Sequence, residues 1–545
     1  LAIVTSEAPS EPVTTSPVRH SDPVNSPQSL AEVFVSRATI DPDSDFLFTI
    51  PEATGAAVES RTYAEILTRS ERLRATLEHV GVRRGEPVGC YLVNSPSWIV
   101  ASLAVWHAGG VVAAVGTLMP SVEASRLFEL AGVRVVVRVD SSSPLDARFD
   151  EIVIDEEGFV VSEGSVANST PSAPLIPPDP DAVACIFFTS GTTGLPKGIT
   201  HTHRDFVDGA RKVASAYAKS DTYRPRTAPA HLAPGVVFNP FGHTAGYGRL
   251  GFRLWIGRPS ILLPRFSVAA VRSILDRYEF DSLQLSPAMV YMLATTEEPL
   301  SLGSIAYVTS GTAPLAIATR ERFERRFGIP VMQAYGMTEV GTIAQERFED
   351  VKAERRGPGS VGRIAQGVEI RIREPEGGPD VASGEDGEIY VRTNEMPTEF
   401  VGGSKVPVDE DGWFATGDLG HLDEHPILYL TGRVQEKLIV GGFNVYPAEI
   451  EDVARQSDGV LDVVVVAVAD ERLGEIPVAG VVWQGEPNDQ RLIAELRAQL
   501  AHYKVPRFIF NLNEIPLTPR DKVDRRAAAV LAKVAYADSF VTEEN

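Results

Sequence analysis

"IFFTSGTTGLPKGITHTH", Ile186 to His203, is the stretch on which the reading of the chain turns. Its start, together with Ala184 and Cys185 before it, is short, apolar and aromatic, the pattern of a buried strand. Thr189, Ser190, Gly191, Thr192, Thr193 and Gly194 follow, each a glycine or a hydroxyl carrier, and Lys197 stands just beyond them. Glycines let backbone N–H groups turn toward an anion, hydroxyls add donors, and a lysine adds charge. A strand, a donor-rich turn and a cation in that order suit phosphate. The turn is not a Walker A loop, which needs glycine directly before the lysine; Pro196 occupies that place. A solvated Gly/Thr turn would have the same composition, so the rest of the chain must decide between the two.

Upstream, strand and helix patterns alternate, which implies a parallel α/β sheet. Ser60 to Val80 has helical spacing, with Arg and Glu on the opposite face. "EPVGCYLVNS" from Glu86, "GVVAAVGTL" from Gly110 and "GVRVVVRVD" from Gly132 read as strands. Trp98 to Pro120 is apolar for long enough to suggest a membrane span. Gly109-Gly110 divides it, so a buried helix followed by a buried strand is expected. "STPSAPLIPPDPD" (Ser169 to Asp181) is a proline-rich linker. Downstream, "YVTSGTAPL" (Tyr307 to Leu315) echoes "FFTSGTTGLP" in outline. Two similar halves meeting at their strand ends would form a crevice, where α/β sheets bind ligands. From about Thr431 a small α+β module is expected: helix, two strands, helix, strand and a terminal helix from Arg525.

Lys and Arg total 51 against 73 Asp and Glu, a net charge of −22. That argues against a nucleic-acid binder, but not against a small anion that meets a local field. Cys90 and Cys185 are the two cysteines, so neither a disulfide framework nor a thiolate metal site is expected. The first residues are rich in Pro, Ser and Thr, without a basic start or a long apolar core. They read as a disordered tail, and a cytoplasmic protein without membrane partners, monomeric or homodimeric, is expected.

Four further segments complete the pattern: "QAYGMTEVG" from Gln333, "DGWFATGDLG" from Asp411, "GRVQEKLIVGGFNVYPAEIE" from Gly432 and "PLTPRDKVDRR" from Pro516. With the opening loop, and in this order, they resemble the adenylate-forming (ANL) superfamily, most of all its AMP-forming acyl- and aryl-CoA synthetases. The resemblance covers Ser29 to Lys533. It implies an α/β fold: a disordered tail over 1–28, then a large N-terminal adenylation domain over 29–431. That domain would hold two similar α/β subdomains and a β-rich part. A small mobile α+β C-terminal domain would span 432–545.

The implied chemistry activates a carboxylate with ATP and Mg2+ as an acyl-adenylate, then passes the acyl group to a nucleophile. The first step brings two anions together, so charge and donors must surround them. By the resemblance, Thr189 to Gly194 and Lys197 would hold the departing phosphates. Thr338 would donate to the α-phosphate, and Glu339 would ligate Mg2+, a hard cation that prefers oxygen. Tyr335 would lie against adenine beside Gly336, with Ser310, Gly311, Thr312, Ala313 and Pro314 as the other wall. Asp418 would accept from the ribose hydroxyls, and Arg433 would reach the ribose. Lys522 would bridge carboxylate and α-phosphate. The small domain would then turn about Gln435 and present Gly441, Gly442 and Phe443 to an acceptor channel.

The acid pocket is expected among Phe238, His243, Tyr247, Gly311, Thr312, Ala334, Gly336 and Met337. His243 is assigned to its mouth. Arg249 and Arg253 lie four apart on one expected helix; the favoured reading turns both to solvent or to a surface carboxylate. His201 and His203 have metal-like spacing but are expected to cap or pack at a helix start. The hinge position is usually Asp or Lys in this superfamily and is Gln435 here. The residue before the catalytic lysine is usually Gly and is Asp521 here. Both departures bear on the second step. CoA is the expected acceptor; an amine or amino acid, or a separate carrier protein, stays open.

Overall fold

The computed structural model describes residues 27–50, 59–161, 175–189, 197–219, 234–263, 265–375, 377–393, 396–397, 399–470, 472–518 and 522–543. The expected tail up to 26, most of the phosphate loop (190–196), part of the linker and Asp521 lie outside them. The chain divides into two compact units: 1–188 with 200–280, and 189–199 with 281–545.

The first unit carries helices α1 (Leu30–Ile40), α2 (Tyr63–His79), α3 (Pro96–His107), α4 (Ser121–Leu130), α5 (His203–Lys219), α6 (Thr244–Ile256) and α7 (Val268–Leu275). Its strands are β1 (Asp45–Thr49), β2 (Glu59–Thr62), β3 (Pro87–Leu92), β4 (Val111–Gly116), β5 (Val135–Val139), β6 (Asp150–Ile154), β7 (Val183–Thr189), β8 (Lys197–Thr202), β9 (Gly235–Val237) and β10 (Ser260–Leu262), except that Thr189 of β7 and Lys197 to Ile199 of β8 belong to the second unit. One sheet runs β6-β5-β3-β4-β7-β8, its first five strands parallel; a second runs β2-β1-β10-β9. The helices start where local chemistry stops the orphan N–H groups from being lost. Ser29 with Glu32 and Thr62 with Glu65 form reciprocal capping boxes on α1 and α2. Every side chain of α3 is buried, as is all but the end of β4. The apolar run from Trp98 is therefore a core helix and strand, as expected, and among the described residues no helix is long and apolar enough to cross a membrane.

The second unit is built on a nine-stranded sheet. Its strands are β11 (Ser282–Leu285), β12 (Tyr307–Ser310), β13 (Val331–Met337), β14 (Gly341–Gln345), β15 (Ser360–Ile364), β16 (Val368–Arg373), β17 (Gly387–Thr393), β18 (Phe414–Leu422) and β19 (Ile427–Arg433). The order is β11-β12-β13-β14-β15-β19-β18-β17-β16. Only β11, β12 and β13 pair in parallel; the rest is antiparallel, the β-rich part that was expected. Helices α8 (Pro287–Thr295), α9 (Ile317–Phe327) and α10 (Phe348–Lys352) accompany it. A single 3-10 turn, Val434–Glu436, leads into β20 (Leu438–Val440), β21 (Phe443–Val445), α11 (Pro447–Arg455), β22 (Val460–Asp470), β23 (Gly474–Trp483), α12 (Asp489–Gln499), β24 (Phe508–Leu512) and α13 (Arg525–Glu543). These strands form their own five-stranded sheet, with a valine-rich core on one side and Ala528 and Ala532 of α13 on the other. The helix, two strands, helix, strand and terminal helix read from the sequence are all present; the β20–β21 hairpin ahead of them was not read.

Candidate active site

The site begins with one hairpin of the second unit. β13 and β14 pair antiparallel, Met337 opposite Gly341, so Thr338, Glu339 and Val340 form the connecting turn. The Val340 N–H donates to the Met337 carbonyl at 3.2 Å, and Gly341 takes a left-handed φ of 80° that closes the turn. A Cβ on Gly336 would sit 2.3 Å from the Gly341 carbonyl oxygen. Only glycine lets the strands approach this closely next to the turn.

Glu339 is half-buried there. Burial raises its carboxyl above the usual carboxylate range, while its own backbone N–H and the ammonium groups of Lys197 and Lys522 pull it back down. Lys197 opens β8 and Lys522 precedes α13, so the fold brings two sequence-distant ammonium groups to bear on one carboxylate. Two ammonium groups around one carboxylate leave a local positive excess in a chain of net charge −22. The Lys197 ammonium also lies over the Phe400 ring, 5.0 Å from its centre. The Gly198 carbonyl accepts from Val401 N–H at 2.8 Å, which holds that strand start in place. Sequence spacing gives no sign of Phe400.

Beside the hairpin, Tyr335 is buried and its hydroxyl donates to Asp418 Oδ2 at 2.7 Å. Arg433 Nε meets Asp418 Oδ1 at 2.9 Å, and the two residues face each other across the β18–β19 ladder. Asp418 is therefore a strand residue, not part of a turn, and both its oxygens are engaged. The Asp418 carboxylate holds the Arg433 guanidinium above its ordinary value. Burial, reinforced by the same carboxylate, does so for the Tyr335 hydroxyl. Ser310 ends β12 next to β13 and is buried. A Cβ on Gly311 would stand 3.0 Å from the Ala334 carbonyl oxygen, so Gly311, just past the end of β12, lies against the middle of β13. Thr312 has φ 75°, uncommon for a β-branched residue. Ala334 and Met337 are half-buried, and Ala313 and Pro314 follow in the same loop.

Gly441 and Gly442, with φ of 57° and 88°, are the two-residue link between β20 and β21. Two left-handed residues at a hairpin tip are the requirement of a type I′ turn. Phe443 is 53% exposed, with its ring stacked on Tyr503 at 4.4 Å. Gln435 is exposed in the 3-10 turn after Arg433.

In the first unit, His243 is half-buried at the N-cap position of α6, with extended backbone. Phe238 is buried against Phe266. Two expectations are corrected. Tyr247 is 1% exposed, packed among Trp98, Trp106, Phe187, Phe206 and Phe241, and its hydroxyl bonds Ser102 Oγ at 2.6 Å. It is a core residue, not a pocket wall. Arg253 does not face solvent: it is buried on α6, its guanidinium fills the space a Cβ on Gly235 would need, and it donates to the Val236 carbonyl at 3.4 Å. Arg249 is half-buried. The helix start at His203 is capped by Thr202 and Asp205, each side chain accepting from the other's N–H. His203 packs on Trp106, and His201 on Phe187 and Phe206.

The model of the AMP-binding enzyme family matches residues 37–398, and that of the AMP-binding enzyme C-terminal domain matches 449–522. The chain is a member of the AMP-binding enzyme family. It is 28% identical over 502 residues to 4-coumarate-CoA ligase 1 of Narcissus pseudonarcissus, covering 87% of this chain and 89% of that one. The structure of ATP-bound MatB from Rhodopseudomonas palustris superposes with a TM-score of 0.79 at 25% identity, covering 93% of this AMP-binding enzyme and 99% of MatB. The amide bond synthetase McbA from Marinactinospora thermotolerans gives 0.75 at 25% identity, covering 92% and 99%.

Proposed function

We propose that this chain is an AMP-forming acid–CoA ligase. A carboxylate oxygen attacks the α-phosphorus of ATP and pyrophosphate leaves. The thiol of CoA, losing its proton, then attacks the acyl carbon and AMP leaves. The observation that carries the reading is that the ammonium groups of Lys197 and Lys522 both act on the half-buried Glu339 carboxyl. An acid and a nucleotide repel each other, and a local excess of ammonium groups lowers that barrier.

Lys522 bridges the acid and the α-phosphate, and Thr338 donates to the same phosphate. Lys197 and the loop from Thr189 hold the leaving pyrophosphate. Tyr335 and the Ser310–Pro314 loop flank adenine. Asp418 accepts from the ribose hydroxyls, oriented by Tyr335 and Arg433. The donor set suits Mg2+. Glu339 offers a carboxylate, and among the described residues no group of three or more His, Cys, Asp or Glu side chains converges. Mg2+ favours such sparse sites, taking its other oxygens from phosphate and water. When bound it neutralises phosphate charge. Gly311, Ala334, Gly336 and Met337 of the second unit line the acid pocket on that unit. Residues 432–545 form the mobile domain, which turns at Gln435 and brings Gly441, Gly442 and Phe443 to the thiol.

Transfer to an amine is the second reading. It is favoured by the likeness to an amide bond synthetase and by the uncharged Gln435. One experiment separates the two. Protein, Mg-ATP and a panel of aliphatic and aromatic acids are assayed for exchange of labelled pyrophosphate into ATP. Products formed with CoA, with an amino acid and with both are then weighed by mass spectrometry. A thioester is expected. An amide formed without CoA, and no thioester with it, overturns the acceptor; no exchange with any acid overturns the enzyme.

A further inference from the structure

The turn that holds Gln435 is tied to the Lys522 segment by an ion-pair cluster. Arg525 opens α13, three residues after Lys522. Its Nε donates to Glu436 Oε2 at 2.9 Å, its Nη1 to Glu451 and to the Val465 carbonyl at 3.0 Å, and its Nη2 to Glu451 Oε2 at 3.1 Å. One guanidinium thus joins the 3-10 turn, α11, β22 and the start of α13. Glu451 is 4% exposed and also accepts from Val465 N–H at 2.8 Å. Forked contacts of this kind fix orientation as well as adding energy.

Lys522 shares this frame. Its carbonyl accepts from Thr518 N–H at 2.7 Å, and Asp524 N–H donates to the Pro516 carbonyl at 2.7 Å. Asp524 Oδ1 caps α13, accepting from Arg526 and Ala527 N–H at 3.1 and 2.9 Å. The lysine backbone is therefore held from both sides, and the frame is fastened to Glu436. Gln435, the residue before, is exposed. Within one peptide step the chain passes from a solvent-facing residue to one fastened into the small module.

We propose that the Glu436–Arg525 pair confines the rotation to Gln435, so that the module turns about one pivot and delivers Lys522 to one position. Glu436 and Arg525 are positioning residues. This rests on the reading of Gln435 as hinge and Lys522 as the group that acts in adenylation. Without the pair, rotation spreads over Glu436 and Lys437, and the docked positions of the module broaden for both half-reactions. Misplacement of a reacting group by about 1 Å is enough to cost on the order of 100-fold; a partial loosening is expected to cost about tenfold.

Glu436→Gln is the test, because Glu451 still holds Arg525 and the fold is retained; the melting temperature checks that. Pyrophosphate exchange should fall about tenfold in kcat, with KM for ATP little changed, since Tyr335, Asp418 and Arg433, which hold the nucleoside, precede the pivot. Acyl transfer from pre-made adenylate should fall by a similar factor, and Glu436→Asp should recover part of both. Lys522→Ala, run in parallel, should lose exchange and keep transfer. Wild-type rates in both half-reactions of Glu436→Gln mean the pair only stabilises the fold, and overturn the proposal. So does a loss confined to exchange. Intact exchange in Lys522→Ala overturns the lysine's role and the proposal with it, whatever Glu436→Gln does.

Discussion

Gly336→Ala tests whether the Thr338–Glu339 turn must sit where the hairpin puts it. The added Cβ would lie 2.3 Å from the Gly341 carbonyl oxygen, 3.1 Å from its carbonyl carbon and 3.1 Å from Thr342 Cα. All three are backbone atoms of β14, so no side-chain rotation relieves the contact. A carbon–oxygen contact needs about 3.3 Å, so the strands must part by about 1 Å beside the turn. The displacement passes straight to Thr338 and Glu339, which form the turn between the two strands. Overpacking of this kind costs about 1–3 kcal/mol in stability, and a 1 Å misplacement of reacting groups costs on the order of 100-fold in rate.

The assay is pyrophosphate exchange at saturating ATP and acid, with melting temperature measured alongside. Gly341→Ala is the control. Its Cβ meets nothing within 4 Å, but φ of 80° strains any L side chain. That variant should lose about 1 kcal/mol of stability and far less rate than Gly336→Ala. Exchange within twofold of wild type in folded Gly336→Ala would refute the claim that the turn's position sets the rate.

Lys522→Ala should lower adenylation by about 10²–10³ while acyl transfer from pre-made adenylate survives; equal damage to both steps, seen by single-turnover assays of each, would remove Lys522 from the first. His107 and His203 are buried and held neutral, each lowered from 6.5 to about 4 by burial. The unfolded chain takes up these protons first, so their contribution is complete above pH 6.5 and falls as pH drops toward 4, by up to about 3 kcal/mol each. Urea unfolding at pH 7.5 and 5 should show the loss, and His203→Gln should reduce its size. Gly442→Phe should slow thioester formation and spare pyrophosphate exchange, because Gly442 has φ of 88° in open space at the hairpin tip; equal loss of both would place the hairpin outside the acceptor path.

Period and punctuation made most of the fold readable. The split at Gly109-Gly110, the β-branched runs and the Gly441-Gly442 turn each have a local cause that one segment contains. The site is different. Nothing local says that Lys522 approaches Glu339, or that Phe400 lies under Lys197; the motifs carried the first, and nothing carried the second. The two misread residues fail for the same reason. Tyr247 can be buried because Ser102 satisfies its hydroxyl, and Arg253 because Gly235 leaves room for its guanidinium. Both partners are remote in sequence, so a tyrosine and an arginine on an amphipathic helix looked like pocket and surface.

The departures at the hinge bear on how the two half-reactions divide. A charged hinge residue can pair differently before and after rotation, and so bias the two positions. Gln435 is exposed and offers hydrogen bonds without charge, which leaves the bias to other groups. Charge is not lost from the region, only moved by one residue: Glu436 carries it and is already spent on Arg525. On the proposed hinge reading, the pair would stiffen the module in both positions without choosing between them. On the proposed reading the choice would fall to the ligands, ATP favouring the position in which Lys522 faces Glu339 and the acceptor favouring the other. A ligand shifts such an equilibrium only by its differential affinity. In this enzyme the acceptor's own binding energy must supply the turn, so an acceptor with a large contact surface, as CoA has, should drive it better than a small amine. Titrating CoA and an amino acid separately against the adenylate-loaded protein, with a fluorescence probe on the module, reads the difference. A turn driven equally well by the amino acid alone would contradict this argument and favour amide formation.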